Sequence, residues 1–121
     1  MHAHILTLAL LVTLTGCAQT GLYKWGGYEQ KLYATYKDPS QVEKLRLTLE
    51  AHIAEMEGSG QKVAPGLYAE LGTIYLQAGA SDKAIAMYAK ERNAWPESRG
   101  LMTAMIQNLE RREKAKQEAA K

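Results

Sequence analysis

The chain is 121 residues long, with 46% hydrophobic and 23% charged residues and a formal net charge of +2. That is ordinary globular composition and enough for one modest core, so two packed domains and a disordered chain are both excluded. The stretch from Glu110 to Lys121 holds five Lys/Arg against three Glu, which leaves the rest of the chain neutral. With no basic face to neutralise many phosphates, nucleic acid is not an expected partner.

Chain order begins with residues 1–16, which read as an export signal. Ile5 to Leu14 is an apolar run too short to span a bilayer and typical of a signal-peptide core. It runs into Leu14-Thr15-Gly16-Cys17, which resembles the bacterial lipobox, where Cys17 is acylated and the chain is cut just before it. One departure is the absence of any Lys or Arg ahead of the run. The rival reading, an ordinary secretory peptide, would leave Cys17 a lone thiol in an oxidising compartment, a liability that acylation removes. Several acyl chains would attach the protein stably without a spanning helix. Ala18 rather than Asp follows the cysteine, which by the sorting pattern of such lipoproteins implies the outer membrane, facing the periplasm.

Loss of the signal also removes His2 and His4, so His52 is the only remaining imidazole. No His/Cys metal site can be assembled from one residue, and no cofactor is expected. His52 lies on or beside an apolar stripe and reads as a packed structural residue. Gly58-Ser59-Gly60 lacks the Lys-Ser/Thr and the preceding strand of a phosphate loop. Glu50, Glu55, Glu57, Glu110 and Glu113 lie among Lys, Arg and Gln at helical spacing, a solvated face rather than an acid/base pair. An enzyme is therefore not expected; one would need a polar pocket with convergent ionisable groups.

Residues 17–27 form the anchor and an aromatic, glycine-rich segment, residues 28–109 a helical domain and residues 110–121 a charged helical tail. Tyr28, Leu32, Tyr33 and Tyr36 recur at spacings of three and four and predict a first helix to Lys37. Asp38-Pro39 restarts the chain, with Asp38 as cap and Gln41 completing a box-like pattern. The second helix carries Val42, Leu45, Leu49, Ile53 and Met56 and stops at Gly58-Ser59-Gly60. A third starts at Pro65, turns Leu67, Tyr68, Leu71, Ile74, Tyr75 and Ala78 inward, and ends at Gly79. The fourth follows Ser81 with Ala84, Ile85, Tyr88 and Trp95, and Pro96 opens a fifth with Leu101, Met102, Met105, Ile106 and Leu109. Beyond Leu109 the apolar stripe ends, and the tail is expected to be dispensable for folding. No period-two alternation occurs anywhere. The fold class is all-α, built of antiparallel helical hairpins.

The third and fourth helices match the tetratricopeptide pattern through Tyr68, Leu71-Gly72, Tyr75, Ala84, Tyr88 and Pro96, counting Tyr for Trp and for Phe. Gly72 and Ala84 are small where the two helices should approach closest, with Tyr75 and Tyr88 beside them. Glu91 departs from the pattern, standing where a small residue is usual, which suggests a looser contact to the next helix. Only one complete repeat is visible, so the first two helices would act as a divergent repeat and the fifth as a cap.

The run Tyr23-Lys24-Trp25-Gly26-Gly27-Tyr28, with Leu32-Tyr33 and Asp38-Pro39-Ser40 after it, resembles a family of small bacterial lipoproteins known only as a domain of unknown function. The resemblance implies a part in an outer-membrane complex, as companions of a curli-secretion-channel-like lipoprotein and of another small lipoprotein encoded side by side. It implies no catalytic residues. Two functions follow as expectations: a periplasmic adaptor binding another envelope protein, or a pilotin-like chaperone delivering a secretion-channel subunit to the outer membrane. Stable copurification would favour the first, mislocalised channel subunits the second. In the tetratricopeptide register, Ala69, Glu70, Thr73 and Gln77 of the third helix and Thr103, Ala104, Gln107 and Arg111 of the fifth face a common groove, which is either a partner site or merely solvated. Trp25 reads either as core packing on the first helices or as a partner contact.

Overall fold

The structure is a computed structural model that describes residues 21–121; residues 1–16, expected to be an export signal, and Cys17 and Ala18 lie outside the described residues. Among these residues there are five α-helices and no strand: α1 (Tyr28–Lys37), α2 (Val42–Gly58), α3 (Leu67–Gln77), α4 (Ser81–Ala94) and α5 (Arg99–Ala119). Short 3-10 turns at Pro39–Gln41 and Pro96–Ser98 precede α2 and α5. The protein is all-α, as the periodicity predicts.

Local chemistry sets the boundaries. The Asp38 carboxylate accepts from the Ser40 amide at 3.1 Å, the Ser40 hydroxyl at 2.7 Å and the Gln41 side-chain amide at 3.0 Å, while Pro39 opens the turn. The start of α3 falls two residues later than Pro65 because Gly66 adopts a left-handed φ of 91°, making Pro65-Gly66 a turn rather than a first helical turn. At the other end Gly79 (φ 80°) closes a Schellman motif, its amide on the Leu76 carbonyl and that of Ala80 on the Tyr75 carbonyl.

Two clusters make the core. Leu45, Leu49, Ile53 and Met56 of α2 pack against Leu67, Tyr68, Leu71 and Ile74 of α3, and Ala84 and Tyr88 of α4 pack against Met102, Ile106 and Leu109 of α5. The two are joined by the α3–α4 hairpin. There Gly72 faces Tyr88 so closely that a Cβ on it would stand 2.8 Å from Tyr88 Cε1. Tyr75 packs against the Ala84 and Tyr88 cluster, as expected, and also against the α2–α3 core, its hydroxyl donating to the Glu50 carboxylate.

Several stripe positions differ from expectation. Ala78 and Leu101 are exposed, and Tyr75, Ile85 and Met105 are half-buried. Leu32, Tyr33 and Tyr36 face outward, and α1 contributes no buried residue at all. The missing share of the core comes from a loop. Val63 and Ala64, between α2 and α3, are fully buried under Trp95, whose indole N–H donates to the Val63 carbonyl at 3.2 Å. Glu91, one turn earlier on α4, is turned toward the same loop: it is 3% exposed and accepts from the Gly66 amide at 2.8 Å, leaving its second oxygen without a partner. A small residue there could not hold the start of α3.

His52 is structural, as expected. Its Nε2–H donates to the Lys24 carbonyl at 3.0 Å, and Gly26 (φ 61°) lies so near that a Cβ would meet Nδ1 at 2.4 Å. The aromatic segment thus lies along α2. The tail continues α5 and is tied to the fold at one side chain, the Glu113 carboxylate accepting from the Ser81 hydroxyl at 2.9 Å.

Candidate interaction surface

The expected groove residues divide by helix and by depth. Ala69 is half-buried and packs on the Ala84, Tyr88 and Met102 cluster. Thr73 is half-buried too, its hydroxyl hydrogen-bonded to the Ala69 carbonyl and to the Tyr88 hydroxyl, both at 3.0 Å. It braces the tyrosine that fills the hairpin. Gln77, Ala104, Gln107 and Arg111 are exposed and Thr103 is half-buried.

Glu70 points another way. It is half-buried, and loss of water pushes its carboxyl above the ordinary range. Its charge also helps raise the Tyr28 phenol, already raised by burial, so Glu70 belongs to the seam with the start of α1. A carboxyl whose folded pKa exceeds its unfolded one binds more protons when folded, so its contribution to stability falls as pH rises from the ordinary carboxylate range through the raised value. Glu70→Gln is accordingly expected to melt higher than the parent at pH 7. The difference should vanish in thermal melts at a pH below the carboxylate range.

An open cleft of about 330 Å³ does lie between α3 and α5, lined by Leu76, Ala104, Met105, Asn108, Leu109 and Arg112. Of the expected residues only Ala104 lines it. Asn108 and Arg112 stand there, one position on from Gln107 and Arg111; a step of one residue turns a helix by about 100°. Leu76 likewise replaces its neighbour Gln77. Met105 and Leu109 carried a signal in the sequence, but as part of the core stripe. The floor is thus apolar and one end is cationic, with neither Arg111 nor Arg112 in an ion pair among the described residues. Such a surface can hold an apolar segment and meet a carboxylate; it holds no acid/base pair. No group of three or more His, Cys, Asp or Glu placed to hold a metal occurs among the described residues.

Trp25 is half-buried against the α2–α3 core, 6.5 Å from the rings of both Tyr23 and Tyr28. Tyr23 in turn sets its edge on Trp95 at 5.3 Å. These contacts place the aromatic segment as a strap across α2, the loop and the end of α4.

A small all-helical domain with an aromatic N-terminal strap and an open inter-helix cleft is the class of protein described so far. Residues 22–105 match the model of the family described as "Domain of unknown function (DUF4810)", and the chain belongs to that family. No curated protein and no solved structure matches the chain.

Proposed function

We propose that this protein is a non-enzymatic lipoprotein adaptor of the outer membrane, anchored through Cys17, whose tetratricopeptide-like helical domain binds another envelope protein on the periplasmic side. The observation that carries the reading is the α3–α5 cleft, apolar along Leu76, Met105 and Leu109 and cationic at Arg112. Helix grooves of this kind recognise extended or helical segments of a partner through apolar anchors, with polar groups at the rim setting register. The lipobox at Leu14-Thr15-Gly16-Cys17 supports the location, and the resemblance to lipoproteins encoded beside a curli-secretion-channel-like protein supports an envelope partner. On this reading the protein contributes a docking surface held at the membrane, and no chemistry.

The test is affinity purification after crosslinking in the native membrane. The parent is expected to bring down one envelope protein stably. Ala104→Arg with Arg112→Glu fills and inverts the cleft at exposed positions, and should abolish that copurification while helicity and membrane attachment remain. Thr73 is left intact, because a long side chain there would displace Tyr88. Retention of the partner by the double variant would remove the cleft as the binding surface.

A further inference from the structure

We propose that the outward face of α1 rests on the lipid bilayer to which Cys17 is anchored, a proposal that depends on the acylation of Cys17 argued above. In a small helical domain a surface helix normally turns its apolar stripe inward. In α1 the arrangement is the reverse. Leu32, Tyr33 and Tyr36 point to solvent, Tyr36 at 87% exposure, and with Glu29 they line an open, nearly all-apolar hollow. The inward side is left to Tyr28, Ala34 and Thr35, none fully buried. Leu22, just ahead of the helix, is 85% exposed.

The tether points to lipid as the occupant. Gly21 is four residues beyond Cys17, a stretch that reaches at most about 14 Å, so an acylated protein keeps this end of the domain at the membrane surface. The composition suits that position, since tyrosines and leucines settle at the headgroup boundary. Lysines around them complete the match: Lys24, Lys31 and Lys37 are exposed and in no ion pair among the described residues, and Lys37 sits 4.7 Å over the Tyr33 ring. Anionic phospholipid headgroups complement such cations. The nearby Asp38 is already engaged by Ser40 and Gln41, which leaves Glu29 as the one carboxylate within α1. The acyl chains supply the affinity, so this face need only orient the domain. Because the cleft lies between α3 and α5, a lipid-facing α1 leaves that cleft to a protein partner.

Spin-label accessibility on the full-length, processed protein in phosphatidylethanolamine/phosphatidylglycerol vesicles tests this. Cys17 is the only native cysteine, so with it acylated a nitroxide can be placed uniquely through Tyr36→Cys, Tyr33→Cys or Gln107→Cys. Both α1 labels should show a several-fold higher ratio of oxygen to nickel-chelate collisions on vesicles than in detergent-free solution after removal of the acylated N-terminus, while the label at position 107 stays aqueous in both. Equal nickel access at 36 and 107 on vesicles overturns the proposal and leaves α1 to a protein partner. Spin–spin broadening at 36 that persists without lipid overturns it in favour of a second copy of the chain. Mass spectrometry of the mature N-terminus separates the two failures: an absent acyl mass on Cys17 sinks the anchoring reading and the proposal with it, whereas an acylated protein with an aqueous α1 sinks only the proposal.

Discussion

Trp95→Ala is expected to cost about 3 to 5 kcal/mol, the usual loss for a large buried aromatic cut back to a methyl group. Two separate parts of the chain, the α2–α3 loop and the aromatic segment, meet on this side chain. Its N–H holds the Val63 carbonyl, Tyr23 sets its edge on the ring, and the Lys62 ammonium lies 3.7 Å from the ring centroid. Truncation would therefore open a cavity over Val63 and Ala64 and free the loop that Glu91 holds at Gly66. Native domains have only about 5 to 15 kcal/mol of net stability, so such a loss leaves little of the folded state. Trp95→Phe keeps the ring contacts and forfeits the hydrogen bond, and should lose nearer 1 kcal/mol. Urea unfolding followed by circular dichroism measures both, and a Trp95→Ala protein as stable as the Phe variant would show that the loop is held by other contacts.

Gly72→Leu is expected to destabilise by about 1 to 3 kcal/mol or more through overpacking. Two effects oppose each other at this position. Any residue other than proline in place of this glycine gains up to about 1 kcal/mol of helix propensity. Against that, the first added carbon meets Tyr88 Cε1 at 2.8 Å and the Met87 Cβ at 3.2 Å. Tyr88 has no exposed surface, and its hydroxyl is tied to Thr73, so its ring cannot swing aside without dragging the hairpin apart. Sterics win for Leu, and Gly72→Ala should fall between the two effects. Gly100, also helical, meets nothing within 4 Å of an added Cβ, so Gly100→Ala should gain stability by up to about 1 kcal/mol. Chemical denaturation of the three variants reads the difference directly. A Gly72→Leu protein as stable as the parent would mean that α3 and α4 do not approach as closely as Tyr88 requires.

On the proposed adaptor reading, the Gly72 contact with Tyr88 also bears on partner binding. Leu76 of α3 and Met105 and Leu109 of α5, which line the cleft, belong to the same packed cluster as Tyr88. Variants that loosen Tyr88 should weaken partner capture along with stability, whereas Ala104 and Arg112 can be changed at the surface alone.

The amino-acid sequence by itself determined where the helices are and what punctuates them. Apolar recurrence at three and four, the Asp38 cap, the glycine at 79 and the proline at 96 act within a few residues, so they are legible along the chain, whereas the left-handed turn at Gly66 that delays α3 is not. Gly72 was legible too, because the tetratricopeptide pattern puts a small residue where the two helices approach closest. Which side of each helix is covered was decided only in three dimensions. The stripe of α1 is as regular as that of α2, yet only its first member, Tyr28, packs on the core beside Trp25, while Leu32, Tyr33 and Tyr36 are exposed and the stripe of α2 is buried. Val63 and Ala64 have no periodicity to announce their burial, which follows from Trp95 and Glu91 reaching back from α4 to grip the loop. The cleft is lined by Asn108 and Arg112 rather than Gln107 and Arg111 for a similar reason: helical spacing defines a face, and the packing of a neighbouring helix decides where on the circumference that face opens.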